Sequence, residues 1–182
     1  LNMWFSVSMY SPQAEHFVAT FDVITERKVA ESKLIDANTL VETILDKVPL
    51  VIFVKEVRNS RLVAFNRFGQ KFLGLEREQV LGKSLMDLFP AEQAAFLGHK
   101  DHEALASGTT VDIPETRIQT AETGERVFHI TKTPIMGPDG LPQYILGIAE
   151  DISDRKKTAE ELMIAKEAAE TANLTKSAFL AN

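Results

Sequence analysis

Apolar residues along this chain follow two periods, and each marks a different kind of element. Near the front, Ala30, Leu34, Ala37, Val41, Ile44 and Val48 step by 4, 3, 4, 3 and 4 residues. Near the end, Thr158, Leu162, Ala165, Ala169, Ala172, Lys176 and Phe179 step by 4, 3, 4, 3, 4 and 3. A seam every 3.5 residues is the period of a left-handed coiled coil. Charged residues flank both seams, among them Glu26, Lys28 and Glu31 in the first and Arg155, Lys157 and Glu161 in the second. The pattern predicts two long helices whose seams pair in a homodimer. An amphipathic helix laid on its own domain carries the same stripe, and two or three heptads do not separate the two readings. The second seam is rich in alanine and contains a lysine, so it is a weak pairing surface by itself.

Between the helices the period changes. "LVIFVKEV" (50–57) and "RLVAFN" (61–66) are β-rich runs separated by the turn signal "RNS". Asn66 is an N-cap residue for a short helix that stops at Gly74, and "EREQVLG" is a second short helix ending at Gly82. Pro90 opens the longest helix of this region, which stops at Gly108. Three β-rich runs follow, "TTVDIPETRIQT", "RVFHITKTPIM" and "QYILGIAEDI", with turns at "AETGE" and "GPDGLP". The order β-β-α-α-α-β-β-β predicts an α+β domain, one antiparallel sheet with helices packed on one face.

The chain also repeats itself. "VITERKVAESKL" (23–34) aligns with "DISDRKKTAEEL" (151–162) at an offset of 128 residues, and a β-like run precedes each. An offset of that size suits one compact domain plus a linker helix. The chain therefore divides into the end of one module (1–25), a linker helix (26–48), one whole module (49–152) and an outgoing helix (153–182).

Composition narrows the function. Lys and Arg number 20 against 26 Asp and Glu, a formal charge of −6, which argues against a nucleic-acid binder. The chain has no Cys, which removes disulfides, thiolate catalysis and Cys-ligated metals and fits a reducing, cytoplasmic setting. The longest wholly apolar runs, such as Leu50–Val54, are far short of the ~20 residues of a membrane span. The opening residues have no basic stretch before an apolar one, so they are no signal peptide and read as part of a longer protein.

No constellation of residues reads as catalytic. His99, Asp101 and His102 fall on one helix, but two histidines and a carboxylate make no zinc site, and a solvated helix face is the simpler reading. Phe53, Phe65, Phe68, Phe72, Phe89, Phe96 and Phe128 form either a plain core or the lining of a pocket. A candidate ligand pocket takes Phe53, Phe65, Asn66 and Phe89 from the first half and Arg117, His129, Lys132 and Tyr144 from the closing strands. An anion such as a carboxylate would suit Arg117 or Lys132. Asp151, Ser153 and Arg155 mark the last junction, where Asp151 or Ser153 can accept hydrogen bonds from the first N–H groups of the outgoing helix and Asp151 can pair with Arg155. That junction is either a helix cap alone or a coupling point between sheet and helix.

Over about residues 40–152 the chain resembles a PAS domain. "FNRFGQKFLGLEREQVLGKSLMDLFP" is similar to that family's N-x-x-F to D-L-F-P stretch, and "ILGIAEDISDRK" to its closing strand and D-I-T-E-R-K junction. The front piece resembles only the last two strands of a preceding PAS domain, with Val23 in the place of Asp151. The tail, "AKEAAETANLTKSAFLAN", resembles the run-up to the dimerisation and phosphoacceptor helix of sensor histidine kinases. The resemblance implies a five-stranded sensory module, without enzymatic activity of its own. It would pass a ligand or conformational signal through dimeric helices (seam Ala30, Leu34, Ala37, Val41, Ile44, Val48, then Leu162, Ala165, Ala169) to a kinase domain and on to a response regulator. Another output, such as a cyclic-dinucleotide enzyme, and a purely structural dimerisation role are the alternatives. No metal or cofactor is expected. Covalent flavin chemistry needs a Cys, and His99 and His102 lie nearer Gly108 than the family's haem ligand lies to its closing Gly. Non-covalent flavin stays open.

Overall fold

Strand and helix signals in the sequence resolve into the following elements in this computed structural model, which describes residues 3–13, 16–120 and 124–180. The chain divides into two units, 1–45 and 46–182. In the first, β1 (Phe5–Gln13) and β2 (His16–Val23) pair antiparallel, and α1 (Thr25–Lys47) follows after Ile24. No residue of α1 is buried. Its seam positions Ala30, Leu34, Ala37, Val41 and Ile44 are all exposed, and Val48 lies one residue past the end of the helix.

The second unit holds β3 (Val51–Glu56), β4 (Leu62–Phe65), α2 (Arg67–Leu73), α3 (Arg77–Val80), α4 (Leu85–Leu88), α5 (Ala91–Ser107), β5 (Val111–Thr120), β6 (Gly124–Met136), β7 (Pro142–Asp151) and α6 (Ser153–Leu180). The strands form one antiparallel sheet in the order β4-β3-β7-β6-β5. The α+β expectation holds: β3 and β4 make one hairpin, the helices cross over, and β5 to β7 complete the sheet. In α6, Leu162, Ala165 and Ala169 are exposed. Thr158 is exposed as well, and the side chains of Ala172, Lys176 and Phe179, further along that seam, lie outside the described residues.

Strand alternation decides which side chains meet the helices. In β6, Phe128, Ile130, Lys132 and Pro134 are buried while their neighbours are less so, and in β7 the same holds for Ile145, Gly147 and Ala149. Helices contribute Val80, Leu85, Ala94, Leu97 and Ala104 to the same core. The crossover is held by local capping. Asn66 Oδ1 accepts from Gly69 N–H (3.1 Å) at the start of α2, and Gly74 closes that helix at φ 67°, a left-handed value that suits glycine. Reciprocal capping boxes open α3 (Glu76 with Gln79) and α4 (Ser84 with Asp87).

Candidate functional site

Two places in the second unit gather the residues from which a sensory role can be built. The first lies between sheet and helices. Phe53 and Phe65 from β3 and β4, Phe72 and Phe89 from the crossover, and Phe128 from β6 surround a cavity of ≈ 60 Å³. Typical small-molecule sites run to roughly 300–1,000 Å³, so this conformation holds space for only a few atoms. Gly147 makes the packing there feasible. Its missing side chain lets the Phe53 ring lie against β7, where any Cβ would collide with that ring.

Among the described residues Lys132 is the one charged group in the cavity wall, and it belongs to a buried cluster. Its Nζ donates to Leu97 O (2.6 Å) and to Asp101 Oδ1 (2.5 Å). Lys55 Nζ donates to the other carboxylate oxygen of Asp101. All three residues are at most 4% exposed. Lys55 lies on β3 and Lys132 on β6, the strands either side of β7, so one carboxylate of α5 ties these two strands together across β7. Two ammonium groups share a single carboxylate, so the cluster carries a surplus positive charge when both are protonated. Burial pushes the Lys132 ammonium below its ordinary range, Asp101 opposes that shift, and Lys55 adds to it.

The sequence signal for this cluster was present in its periodicity. Asp101 continues the buried stripe Ala94, Leu97, Ala104 of α5, and Lys55 and Lys132 each continue an inward-facing alternation. Taking Asp101 with His99 and His102 as a solvated helix face is correct for the histidines, both exposed, and wrong for Asp101. Among the described residues, no group of three or more His, Cys, Asp or Glu is placed to hold a metal ion.

Strand alternation also removes three candidates from the pocket. His129 is one residue out of phase with Phe128 and Ile130. It faces the other side of the sheet, with Nε2 2.5 Å from Asp112 Oδ1 and Nδ1 3.9 Å from Glu150 Oε2. Tyr144 is out of phase with buried Ile145 and shares that outer face. Arg117 is 75% exposed and pairs with Glu125 at 2.8 Å. Asn66 does not line the cavity. Its carboxamide ties the start of β3 to the crossover, accepting from Ile52 N–H (3.0 Å) and donating to Leu50 O (2.9 Å).

The second place is the junction of β7 with α6. Buried Ile152 donates its N–H to Val127 O (2.9 Å), and Val127 N–H donates back to Ser153 Oγ (2.9 Å). Asp151 Oδ1 accepts from Ser153 N–H (2.9 Å), capping the helix start. The ionic partner of Asp151 is Arg126 of β6 (3.8 Å), which also reaches Asp154 (3.5 Å), and not Arg155. The reason is register: Asp151 lies opposite Phe128, so Arg126 is its diagonal neighbour on the same face of the sheet, while Arg155 is exposed in the first turn of α6. Lys156 of α6 pairs with Glu115 of β5. The root of α6 is thus bonded to β5, β6 and β7 together.

Comparison with known proteins agrees with this architecture. The PAS fold family matches residues 45–157. A methanogenesis regulatory histidine kinase, FilI, of Methanothrix harundinacea is 31% identical over 131 residues, which is 72% of this chain and 14% of that protein. The virulence sensor protein BvgS of Bordetella bronchiseptica is 28% identical over 161 residues, 87% of this chain and 13% of that protein. The chain thus spans about a seventh of the length of these relatives. Among solved structures, the PAS domain of Bordetella pertussis BvgS superposes with a TM-score of 0.53 at 22% identity, covering 73% of this chain and 98% of that one. A PAS domain from Colwellia psychrerythraea gives 0.56 at 18% identity, covering 65% of this chain and 98% of that one. Both likenesses concern the fold. Among the described residues no helix is long and apolar enough to cross a membrane.

Proposed function

The chain belongs to the PAS fold family, and from that premise we propose that it is a sensory and transmission module of a two-component histidine kinase. It passes a signal through paired helices to a cytoplasmic kinase core in the same parent chain, which then phosphorylates a response regulator. The observation that carries this reading is the junction, where Asp151, Ser153 and Arg126 tie the end of the sheet to the root of an exposed helix. The 31% identity to a regulatory histidine kinase supports the choice of output. The small cavity favours a relayed conformational signal over a bound cofactor. A coiled coil has discrete packings, so a small tilt at its root selects between them.

Asp151→Ala tests the junction. The residue is partly exposed and its ion pair is long, so the loss is mainly that of a helix cap, about 1 kcal/mol. Chemical denaturation of the chain is expected to show that modest change. Autophosphorylation of the full-length parent with labelled ATP is expected to show altered basal output or altered response. An output identical to wild type, with the dimer retained, would rule out coupling through this residue.

The paired helices have their own test. Leu34 and Ile44 are 63% and 54% exposed in the single chain, at seam positions with no cover. Leu34→Asp with Ile44→Asp is expected to convert the dimer to a monomer in light scattering. A dimer of unchanged stability would place the association elsewhere.

A further inference from the structure

The N-terminal hairpin reproduces the backbone and hydroxyl bonds that join the closing strands of the second unit to its outgoing helix. Ile24 N–H donates to Trp4 O (2.9 Å) and Trp4 N–H to Thr25 Oγ1 (2.9 Å), as Ile152 does to Val127 O and Val127 to Ser153 Oγ. The first helical bonds correspond too, Lys28 N–H to Ile24 O and Lys156 N–H to Ile152 O. Strand registers coincide from the junction as far as Tyr10↔Val18: Phe5↔Val23, Val7↔Phe21 and Met9↔Ala19 match Phe128↔Asp151, Ile130↔Ala149 and Lys132↔Gly147, and the two hairpins diverge only toward their turns.

This register states which face of the hairpin corresponds to a core. In the second unit Phe128, Ile130, Ile145 and Ala149 lie beneath helices. Their counterparts in the hairpin are Phe5, Val7, Phe17 and Phe21, and these are 50%, 52%, 75% and 67% exposed. Of the alternate positions, Ser6, Ser8, Thr20 and Asp22 are polar, as on a solvated face, and only the Tyr10–Val18 pair nearer the turn departs from this. A two-stranded hairpin by itself is marginal in water, and an uncovered apolar face of this kind marks a surface that another element covers.

We propose that the face formed by Phe5, Val7, Met9, Phe17, Ala19 and Phe21 is the seat of an upstream segment of the parent chain, which completes a second module of the same fold. The occupant is the segment preceding Leu1, carrying the counterparts of β3 to β5 and the crossover helices. The matching junction bonds and the register shared over Phe5–Tyr10 select this occupant over a second copy of the chain, because they specify both which face is inward and what lies on it. The two modules differ in chemistry. Met9 stands where Lys132 stands, so the upstream core is built without a buried ammonium at this position. Val23 and Met3 stand where Asp151 and Arg126 stand, so the first junction keeps the hydroxyl clamp and drops the ion pair. On this reading α1 is the output helix of one module and the input helix of the next. The inference rests on the family assignment and is independent of any kinase output.

Amide hydrogen exchange tests it without reference to signalling. The 182-residue chain is compared with the same chain extended upstream in its parent gene by on the order of 100 residues, a typical domain length. Protection of β1 and β2 amides is expected to rise by on the order of 100-fold in the extended protein, at a level independent of protein concentration. Within the extended protein, Val7→Asp with Phe21→Asp is expected to abolish that gain while β6 and β7 keep theirs. Equal protection in the short chain that grows with concentration would identify a second copy as the occupant and overturn the proposal. A hairpin that exchanges freely in both proteins would overturn it as well.

Discussion

Asp101→Ala is expected to destabilise the second unit by about 3–5 kcal/mol, the loss that follows when one partner of a buried ion pair is removed. The variant leaves two buried ammonium groups, Lys55 and Lys132, without their shared carboxylate. The penalty depends on pH, and its sign follows from Lys132. Burial holds the folded-state pKa of this lysine below its ordinary 10.5. Between that lowered value and 10.5 the unfolded chain binds a proton that the native chain has released, so stability rises with pH across this window. Removing Asp101 takes away the group that opposes the shift, which widens the window downward. The gap between wild type and Asp101→Ala is therefore expected to be largest near neutral pH and to narrow toward pH ~10. Urea denaturation at several pH values measures this directly. Replacing the whole cluster (Lys55→Met, Asp101→Leu, Lys132→Met) is expected to recover most of the stability, since apolar substitutes for complete buried ion clusters are often neutral or stabilising. A neutral effect of Asp101→Ala, or a penalty independent of pH, would mean that water reaches the cluster and solvates both lysines.

Phe128→Ala is expected to have an effect of similar size for a different reason. Phe128 is 2% exposed, meets the Phe72 ring edge-to-face at 4.8 Å, and lines the cavity. Truncation removes the transfer energy of the ring and enlarges an existing void, together about 3–5 kcal/mol. Of this, about 0.5–1.5 kcal/mol is the ring pair. Phe128→Leu keeps most of the volume and is expected to lose much less. The enlarged apolar space in Phe128→Ala is expected to take up a small apolar molecule such as benzene, raising the melting temperature of the variant selectively. A loss below ~1 kcal/mol would show that the helices collapse onto the vacated site.

How much of this was legible beforehand differs from element to element. The order of strands and helices in the second unit was readable because turn residues, caps and apolar periods are local signals. Asn66, Gly74 and Gly108 mark helix ends by their own backbone and hydrogen-bonding preferences, whatever surrounds them. The repeat at residues 23 and 151 was equally plain. The pocket is less legible, because strand alternation separates Lys132 from His129 whereas polarity alone groups Arg117, His129, Lys132 and Tyr144 together.

Local pattern suffices for the α+β architecture, the two long helices with their common phase, and the junction motif that ends each pair of strands. These follow from short-range periodicity and from residues whose roles are set by their own chemistry. The meeting of Asp101 with Lys55 and Lys132 depends on the folded sheet, since these lie 46 and 31 residues away along the chain and come together because β3, β7 and β6 are neighbours. The folded sheet likewise decides that Asp151 pairs with Arg126 and not with Arg155. The choice depends on the diagonal placement of two strands, a relation between distant segments that no local pattern encodes.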